Sequence, residues 1–140
     1  AALPLLRASE CGQLIGMGST AGYRGLPRAE AYGASKAAIN YLFESIRLDL
    51  LEAGIAVSLI CPGFVRTPLT AQNEFPMPFL VEAERAGKII VDGIARKTEE
   101  IHFPKRLSYL LKFLRALPSP VYTWILARYA AIQRKAAQAP

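Results

Sequence analysis

The sequence predicts an α/β fold, part of a doubly wound parallel sheet followed by a helical C-terminal tail. Two short apolar runs, Leu14 to Met17 and Ile55 to Ile60, are typical of strands. The second run has no polar alternation, as expected of a central parallel strand that is covered on both faces. A long helical pattern over residues 31–53 lies between the runs, and a strand, helix, strand order requires a right-handed crossover.

Length and composition indicate one domain or part of one. The 140 residues are 52% apolar and 20% charged, which is typical of a globular chain with a sizeable core and excludes a disordered one. The net charge of +6 is unevenly placed, because every charged residue from 101 onward is basic. We therefore divide the chain into residues 1–104, which hold the predicted sheet, and residues 105–140, a basic amphipathic helical tail.

The first residues predict the end of an amphipathic helix and not a targeting segment. The run from Ala1 to Leu6 lacks a cleavage pattern and is too short to span a membrane. Cys11 and Cys61 have no metal-type spacing, so we expect reduced thiols in a cytoplasmic protein and no metal site. His102, the single histidine, lies between apolar neighbours and is expected to be structural.

The helix predicted over residues 31–53 has a wide apolar surface. Gly54 is the expected stop just beyond its end. Leu48 and Leu51 widen this surface beyond what a helix packed on one side needs, so the helix either has a second packing surface or is simply buried against the sheet. The inner face is formed by residues at three- and four-residue steps, namely Ile39, Leu42, Phe43, Ile46 and Leu50.

Tyr32 and Lys36 are the first candidate catalytic residues. They are four residues apart, so they share one face of a helix. An ammonium beside a phenol favours the phenolate and lowers a tyrosine pKa from about 10 towards neutrality, which suits a proton donor. Ser19 follows the first predicted strand, and the glycines and proline behind it allow the chain to bring the serine back toward the helix.

The segment Gly16-Met17-Gly18-Ser19-Thr20-Ala21 also fits the G-x-G-x-x-A pattern that binds a pyrophosphate at a helix N-terminus. That interpretation needs a helix directly behind the glycines. Two further glycines and Pro27 argue against such a helix.

Three motifs, in order, resemble the short-chain dehydrogenase/reductase family. They are Ser19-Thr20-Ala21-Gly22, Tyr32-Gly33-Ala34-Ser35-Lys36 and Pro62-Gly63-Phe64-Val65-Arg66-Thr67, within a stretch from Gln13 to Pro104. The resemblance implies the C-terminal half of a Rossmann-like sheet, with the dinucleotide-binding first half and the family's catalytic asparagine absent, and NAD or NADP as cofactor. One departure is Gly18, where the family often has a second serine.

The resemblance also implies a role for each site residue. Ser19 would hold the substrate carbonyl or hydroxyl, Tyr32 would transfer the proton, and Lys36 would lower the tyrosine pKa and bond the nicotinamide ribose. The nicotinamide carboxamide would be lined by the backbone around Pro62, Gly63 and Val65 and by Thr67.

The connection from Phe64 to Leu80 is long and apolar, which is typical of a lid. It resembles the substrate-binding loop of the family, and its aromatic residues favour an apolar small-molecule substrate. A helix over residues 82–97 and a short strand over residues 101–104 follow it.

In the tail, the break from Leu117 to Pro120 separates two helical pieces. A basic helix with aromatic residues suits the surface of an anionic membrane, whereas docking on the protein's own substrate site or on a sister subunit is the alternative. No nucleic-acid partner is expected, because no recognised binding motif accompanies the charge. The first piece carries one polar stripe on a leucine-rich helix: Lys105, Ser108, Lys112 and Arg115.

These observations favour an NAD(P)-dependent oxidoreductase that interconverts a carbonyl and an alcohol on a small molecule. Because members of the family commonly dimerise through this helix, the resemblance also implies a homo-oligomer through helix 31–53. We expect it in the cytoplasm, free or at a membrane surface. The alternative is a non-catalytic remnant that acts as an oligomerisation or membrane-surface module.

Overall fold

A three-stranded parallel sheet forms the centre of the molecule. The computed structural model describes residues 2–73 and 75–137, and side chains as far as residue 131. The strands, in their order across the sheet, are β1 (Gln13–Met17), β2 (Ala56–Pro62) and β5 (Glu100–Phe103), with β2 in the middle. Met17 pairs with Ile60, and Pro62 pairs with Phe103, so the C-terminal ends of all three strands lie at one edge.

Helices follow the strands and cover both faces of the sheet. One face packs with Phe43, Leu107 and Leu111, and the other packs with Ala86 and partly buried isoleucines. A second small parallel pair, β3 (Val65–Arg66) and β4 (Val81–Glu82), lies within the predicted lid connection. The helices are α1 (Leu3–Ala8), α2 (Glu30–Leu51), α3 (Ala83–Ala95), α4 (Lys105–Ala116) and α5 (Ser119–Ala137). The α/β class, the parallel sheet and the helical tail are confirmed.

The predicted helix over residues 31–53 corresponds to α2. Gly54 follows it with φ +66°, the left-handed conformation that makes glycine a good helix stop. Leu50 is buried, while Ile39, Phe43 and Ile46 pack partly buried against the core. The expectation for Leu42 is wrong, because its side chain is 51% exposed. Leu42 lies at the edge of the inner face of this helix, and the sheet covers only the centre of that face.

The tail helix α4 is oriented with its polar stripe toward the protein. Ser108 is buried, and Lys112 forms an ion pair with Glu100. The opposite face of α4 presents Tyr109 and Phe113 to solvent, at 59% and 63% exposure. The aromatic surface of this helix is therefore the solvent side. Within the described part of the chain, we find no helix with the length and apolar character needed to cross a bilayer.

Candidate active site

Ser19 lies just beyond β1 and contacts the end of β2. Gly18 N donates to Ile60 O at 2.8 Å, which extends the pairing of the two strands to the residue before the serine. Ser19 Oγ accepts from Ala21 N at 3.1 Å and donates to Pro62 O at 3.4 Å. Because parallel strands end at the same edge of the sheet, the serine and the Pro62 turn face one crevice.

Tyr32 and Lys36 lie on the first two turns of α2. Lys36 Nζ is 5.8 Å from the centre of the Tyr32 ring. Lys36 Nζ also donates to Met17 O, the last carbonyl of β1, at 3.0 Å. An ammonium has three hydrogens, so two remain for a ligand. Tyr32 is 54% exposed, and among the described residues its hydroxyl has no hydrogen-bond partner. The phenol is thus open to a bound molecule.

Asn40 holds the serine from the same helix, and sequence reasoning missed it. The side chain is 4% exposed. Its Nδ2 donates to Ser19 O at 3.1 Å, and its Oδ1 lies 3.6 Å from Cys61 Sγ, which donates to it. The sequence signal that could have identified Asn40 is its spacing, because it follows Lys36 by four residues and Tyr32 by eight and so lies on the same helix face. A polar residue at that spacing on a buried face needs a specific partner.

Two glycines allow the serine segment to lie close to α2. A Cβ on Gly22 would lie 2.6 Å from the carbonyl carbon of Lys36, so only glycine fits against the helix backbone there. A Cβ on Gly18 would lie 2.1 Å from Asn40 Oδ1. A short 3₁₀ turn, Thr20–Gly22, follows the serine where the pyrophosphate-binding interpretation required an α-helix.

The proposed cofactor-lining residues form the turn after β2. Gly63 N donates to Phe103 O at 2.7 Å, which fixes the turn against β5. Val65 pairs with Val81 in the small second sheet. Thr67 Oγ1 lies 3.1 Å from Thr70 Oγ1, so this hydroxyl is engaged within its own turn and not with Ser19 or Tyr32. Pro62 therefore contacts Ser19 directly, whereas the Thr67 hydroxyl contacts Thr70.

The Cys61 thiol and the His102 ring have structural roles. Burial raises the pKa of the Cys61 thiol to about 11. The thiol therefore stays protonated and packs as a small side chain in the core. His102 Nδ1 lies 2.6 Å from Ser108 Oγ, and its Nε2 lies 3.2 Å from Lys105 Nζ. Burial, with help from Lys112 and Lys105, lowers the pKa of His102 below its ordinary value. The neutral ring therefore ties α4 to β5.

The predicted lid carries both packed and exposed apolar residues. Phe64 and Phe75 meet edge to face, with ring centres 6.0 Å apart. Leu69 and Phe79 are 77% and 46% exposed. This connection therefore presents apolar surface beside the turn that follows β2.

A family model described as short chain dehydrogenase matches residues 1–76. An uncharacterized oxidoreductase of Myxococcus xanthus is 43% identical over 122 residues, which cover 87% of this chain and 48% of that protein. The 11-beta-hydroxysteroid dehydrogenase 1A of Arabidopsis thaliana is 31% identical over 134 residues, covering 81% of this chain and 38% of that protein. The chain thus spans about half the length of these relatives, or less.

Solved structures of similar fold include two that contain a nicotinamide cofactor. A short-chain dehydrogenase from Burkholderia cenocepacia in complex with NADP has a TM-score of 0.72 at 20% identity, over 89% of this chain and 51% of its own. One from Sphingobium yanoikuyae in complex with NADPH has a TM-score of 0.63 at 21% identity, over 98% of this chain and 49% of its own. At these identities the likeness concerns the fold.

Proposed function

This chain belongs to the short-chain dehydrogenase/reductase family, and on that premise we propose that it carries the proton-transfer part of an NAD(P)-dependent oxidoreductase. The reaction would interconvert a carbonyl and an alcohol on an apolar small molecule. The observation that carries the proposal is the convergence of α2 on the end of β1. Lys36 binds Met17 O and Asn40 binds Ser19 O, so the helix that bears Tyr32 is fixed to the segment that bears Ser19.

The residues present fit a nicotinamide cofactor. Lys36 has hydrogens to spare for a ribose hydroxyl, and Tyr32 is open to the crevice. The two solved structures of similar fold contain NADP or NADPH, which favours a nicotinamide cofactor without choosing between NAD and NADP. When bound, the nicotinamide supplies or accepts the hydride. Pro62, Gly63, Val65 and Thr67 would hold its carboxamide end.

The protein's own part of the reaction is proton transfer and positioning. In the reducing direction, Tyr32 would donate its phenolic proton to the carbonyl oxygen as that oxygen gains negative charge. Ser19 Oγ would donate a hydrogen bond to the same oxygen in place of its contact with Pro62 O. The Lys36 ammonium would stabilise the negative charge left on the Tyr32 oxygen. The exposed apolar side chains of the 64–80 connection favour an apolar substrate.

The test is Tyr32→Phe in the natural protein that contains this sequence. The change keeps the ring and removes the transferable proton. We expect turnover of ketone or alcohol substrates to fall by about 10²–10⁴-fold, with cofactor binding nearly unchanged. Tyr41→Phe is the matched control, since Tyr41 lies on the same helix and is 75% exposed. Turnover within a few-fold of the wild type would remove Tyr32 from the mechanism.

We further propose a second copy of this chain as a partner of α2. Leu48 and Leu51 lie on one outer stripe of this helix and are 74% and 70% exposed. Contiguous exposed apolar side chains of this kind mark interaction surfaces. Leu48→Lys should shift the molecular mass measured by light scattering toward that of the single chain. An unchanged mass would assign the oligomer, if one forms, to another surface.

A membrane-surface role is the second candidate function, and the outer face of α4 favours it. This face exposes Tyr109, Leu110 and Phe113, and the tail has basic but no acidic residues. Such a surface suits anionic lipid. We expect the protein to sediment with vesicles that contain phosphatidylserine and not with phosphatidylcholine alone. Phe113→Ser should weaken that binding, and equal binding to both vesicle types would exclude the charge-based role.

A further inference from the structure

Arg24 lies in the loop between Ser19 and Tyr32 and binds the C-terminal end of α4. Its Nη1 donates to the main-chain oxygens of Leu114, Arg115 and Leu117 at 2.9, 2.8 and 2.7 Å. The last carbonyls of a helix have no partner within the helix and carry partial negative charge. The guanidinium therefore gives a donor to the carbonyls of Arg115 and Leu117, and a second donor to that of Leu114, which also accepts from Leu117 N at 3.3 Å.

The break between α4 and α5 creates this arrangement of carbonyls. Leu117 adopts an extended conformation, with φ −71° and ψ 145°, as is favoured before the following Pro118. The carbonyl of Leu117 consequently points away from the helix axis. It lies with the carbonyls of Leu114 and Arg115 around the guanidinium. Arg24 Nη2 also lies 3.5 Å from Ser119 Oγ, at the first residue of α5.

The residues on either side of Arg24 bind the tail as well. The Arg24 guanidinium lies 4.1 Å above the centre of the Tyr122 ring, and the Tyr122 hydroxyl donates to Gly25 O. Tyr23 is 6% exposed, and its hydroxyl donates to Glu100, which is paired with Lys112 of α4. Three consecutive loop residues are therefore tied to α4 or α5, directly or through one carboxylate.

We propose that α4 and α5 hold the loop between Ser19 and Tyr32 in position, and that Arg24 is the positioning residue that joins the two parts. On the side of the serine, Gly22 is fixed by its close approach to α2. On the side of the tyrosine, Gly25, Pro27 and Arg28 are exposed. The tail supplies the long-range hydrogen bonds of Arg24 and Gly25, and Tyr23 is linked to the tail through Glu100 of β5. The catalytic consequence rests on the proposed function, whereas the structural coupling does not.

Hydrogen exchange of the loop amides in the 140-residue chain tests the coupling without any assay of activity. Arg24→Ala should raise exchange of the amides of residues 22–26, 28 and 29 by about tenfold, because several charge-assisted bonds are lost together. Exchange of the β1 and β2 amides should stay unchanged. Unchanged exchange of the loop, or an equal rise throughout the chain, would overturn the proposal.

Three further variants sharpen the result. Tyr122→Phe removes only the bond to Gly25 O and should raise loop exchange by about 2- to 10-fold, even if Arg24→Ala fails to fold. Arg24→Lys keeps the charge but not the planar fork, so an intermediate value is expected. Arg128→Ala is the matched control, because Arg128 stacks on Trp124 within α5 at 5.2 Å and does not reach the loop. A rise with Arg128→Ala equal to that with Arg24→Ala would contradict the assignment.

The catalytic consequence is measured separately in the natural protein that contains this sequence. Arg24→Ala should lower kcat while the cofactor Kd stays within about twofold, since a displaced loop misplaces the reacting groups and leaves the ribose contact intact. An inactive wild-type protein would refute the proposed function and leave the exchange result to decide the coupling. Equal kcat in both proteins would show that the loop tolerates the loss of the tail contact.

Discussion

Asn40, Lys36 and Tyr32 occupy successive turns of one face of α2, and each acts on a different part of the candidate site. Asn40 is buried and fixes the carbonyl of Ser19, while Lys36 fixes that of Met17. Tyr32 projects beyond them and is half exposed. The inner two side chains thus hold the strand end in place, and the outermost is left for chemistry.

Lys36→Met tests whether the ammonium serves the cofactor as well as the fold. The change keeps the aliphatic stem and removes both the bond to Met17 O and the charge. In the natural protein that contains this sequence we expect NAD(P)H binding, measured by calorimetry, to weaken by about tenfold or more. Lys88→Met, at an exposed position of α3, is the control. Normal affinity with a normal pH–rate profile would leave Lys36 a structural cation.

A second prediction concerns pH and the buried ring that ties α4 to β5. The pKa of His102 is lowered by burial, so the unfolded chain takes up a proton near the ordinary value of 6.5 while the folded chain does so only at lower pH. The folded state thus binds fewer protons in this window. The free energy of unfolding should therefore fall as the pH is lowered through 6.5.

Glu100 acts in the same direction at lower pH. Burial alone would raise its pKa, but hydrogen bonds from Lys112 and Tyr23 outweigh burial and hold the pKa below 4.5. Its contribution is lost as the pH falls below that range.

Urea unfolding at about pH 7.5 and about pH 5.5 isolates the histidine, because the chain has only one. His102→Gln should flatten that difference, and an equally steep fall would assign it elsewhere.

At the scale of elements, the contact of β1 with α2 explains a departure from the family pattern. Gly18 stands where the family often has a serine, and a Cβ there would collide with the amide of Asn40. The buried asparagine therefore occupies the space that a side chain at position 18 would need. The two positions form one packing unit.

Gly18→Ala should lower the free energy of unfolding by about 1–3 kcal/mol, because the added methyl overpacks a rigid contact. Asn40→Ala should also cost about 1–3 kcal/mol, since the Ser19 carbonyl loses its donor. In the double variant the cost should be less than additive by about 0.5–3 kcal/mol. Gly25→Ala is the control, because a Cβ at Gly25 meets nothing within 4 Å. Strict additivity in urea unfolding would contradict the coupling.

The elements differ in how far the sequence could predict them. The run from Ile55 to Ile60 and the stop at Gly54 depend on local pattern, and both were predicted within one or two residues. The exposure of Leu42 was not predicted, because it depends on how much of the helix the sheet covers. Periodicity identifies the centre of a buried face better than its rim.

Partners distant in the sequence account for what was missed in the site. Tyr32 and Lys36 are recognised from a four-residue spacing within one helix. Asn40 acts on a residue 21 positions earlier, and Arg24 acts on carbonyls 90–93 positions later. No local pattern specifies such pairs. The polar stripe of α4 was recognised, but its inward orientation depends on Glu100 and His102 of β5.

At the scale of the whole molecule, we expect the 140-residue chain alone to bind NAD(P)H weakly. The proposed contacts reach only the nicotinamide end, and they are too few to offset the entropy of fixing a dinucleotide. Calorimetry with NADH and NADPH should give a Kd of about 1 mM or weaker, with no dehydrogenase activity. Micromolar binding would show that these residues suffice.

The orientation of α4 also has a consequence for the response of the molecule to dissolved salts. Lys112 reaches inward to Glu100, and the Arg115–Glu44 pair, half exposed on both sides, is weakened by sodium chloride through screening. Sulfate acts on the opposite face, because salting-out drives Phe113 and its exposed neighbours to leave water. Chloride should therefore loosen α4 from α2, whereas sulfate should bring copies of the chain together through the exposed face of α4. The identity of the anion, and not ionic strength alone, would select between these two outcomes.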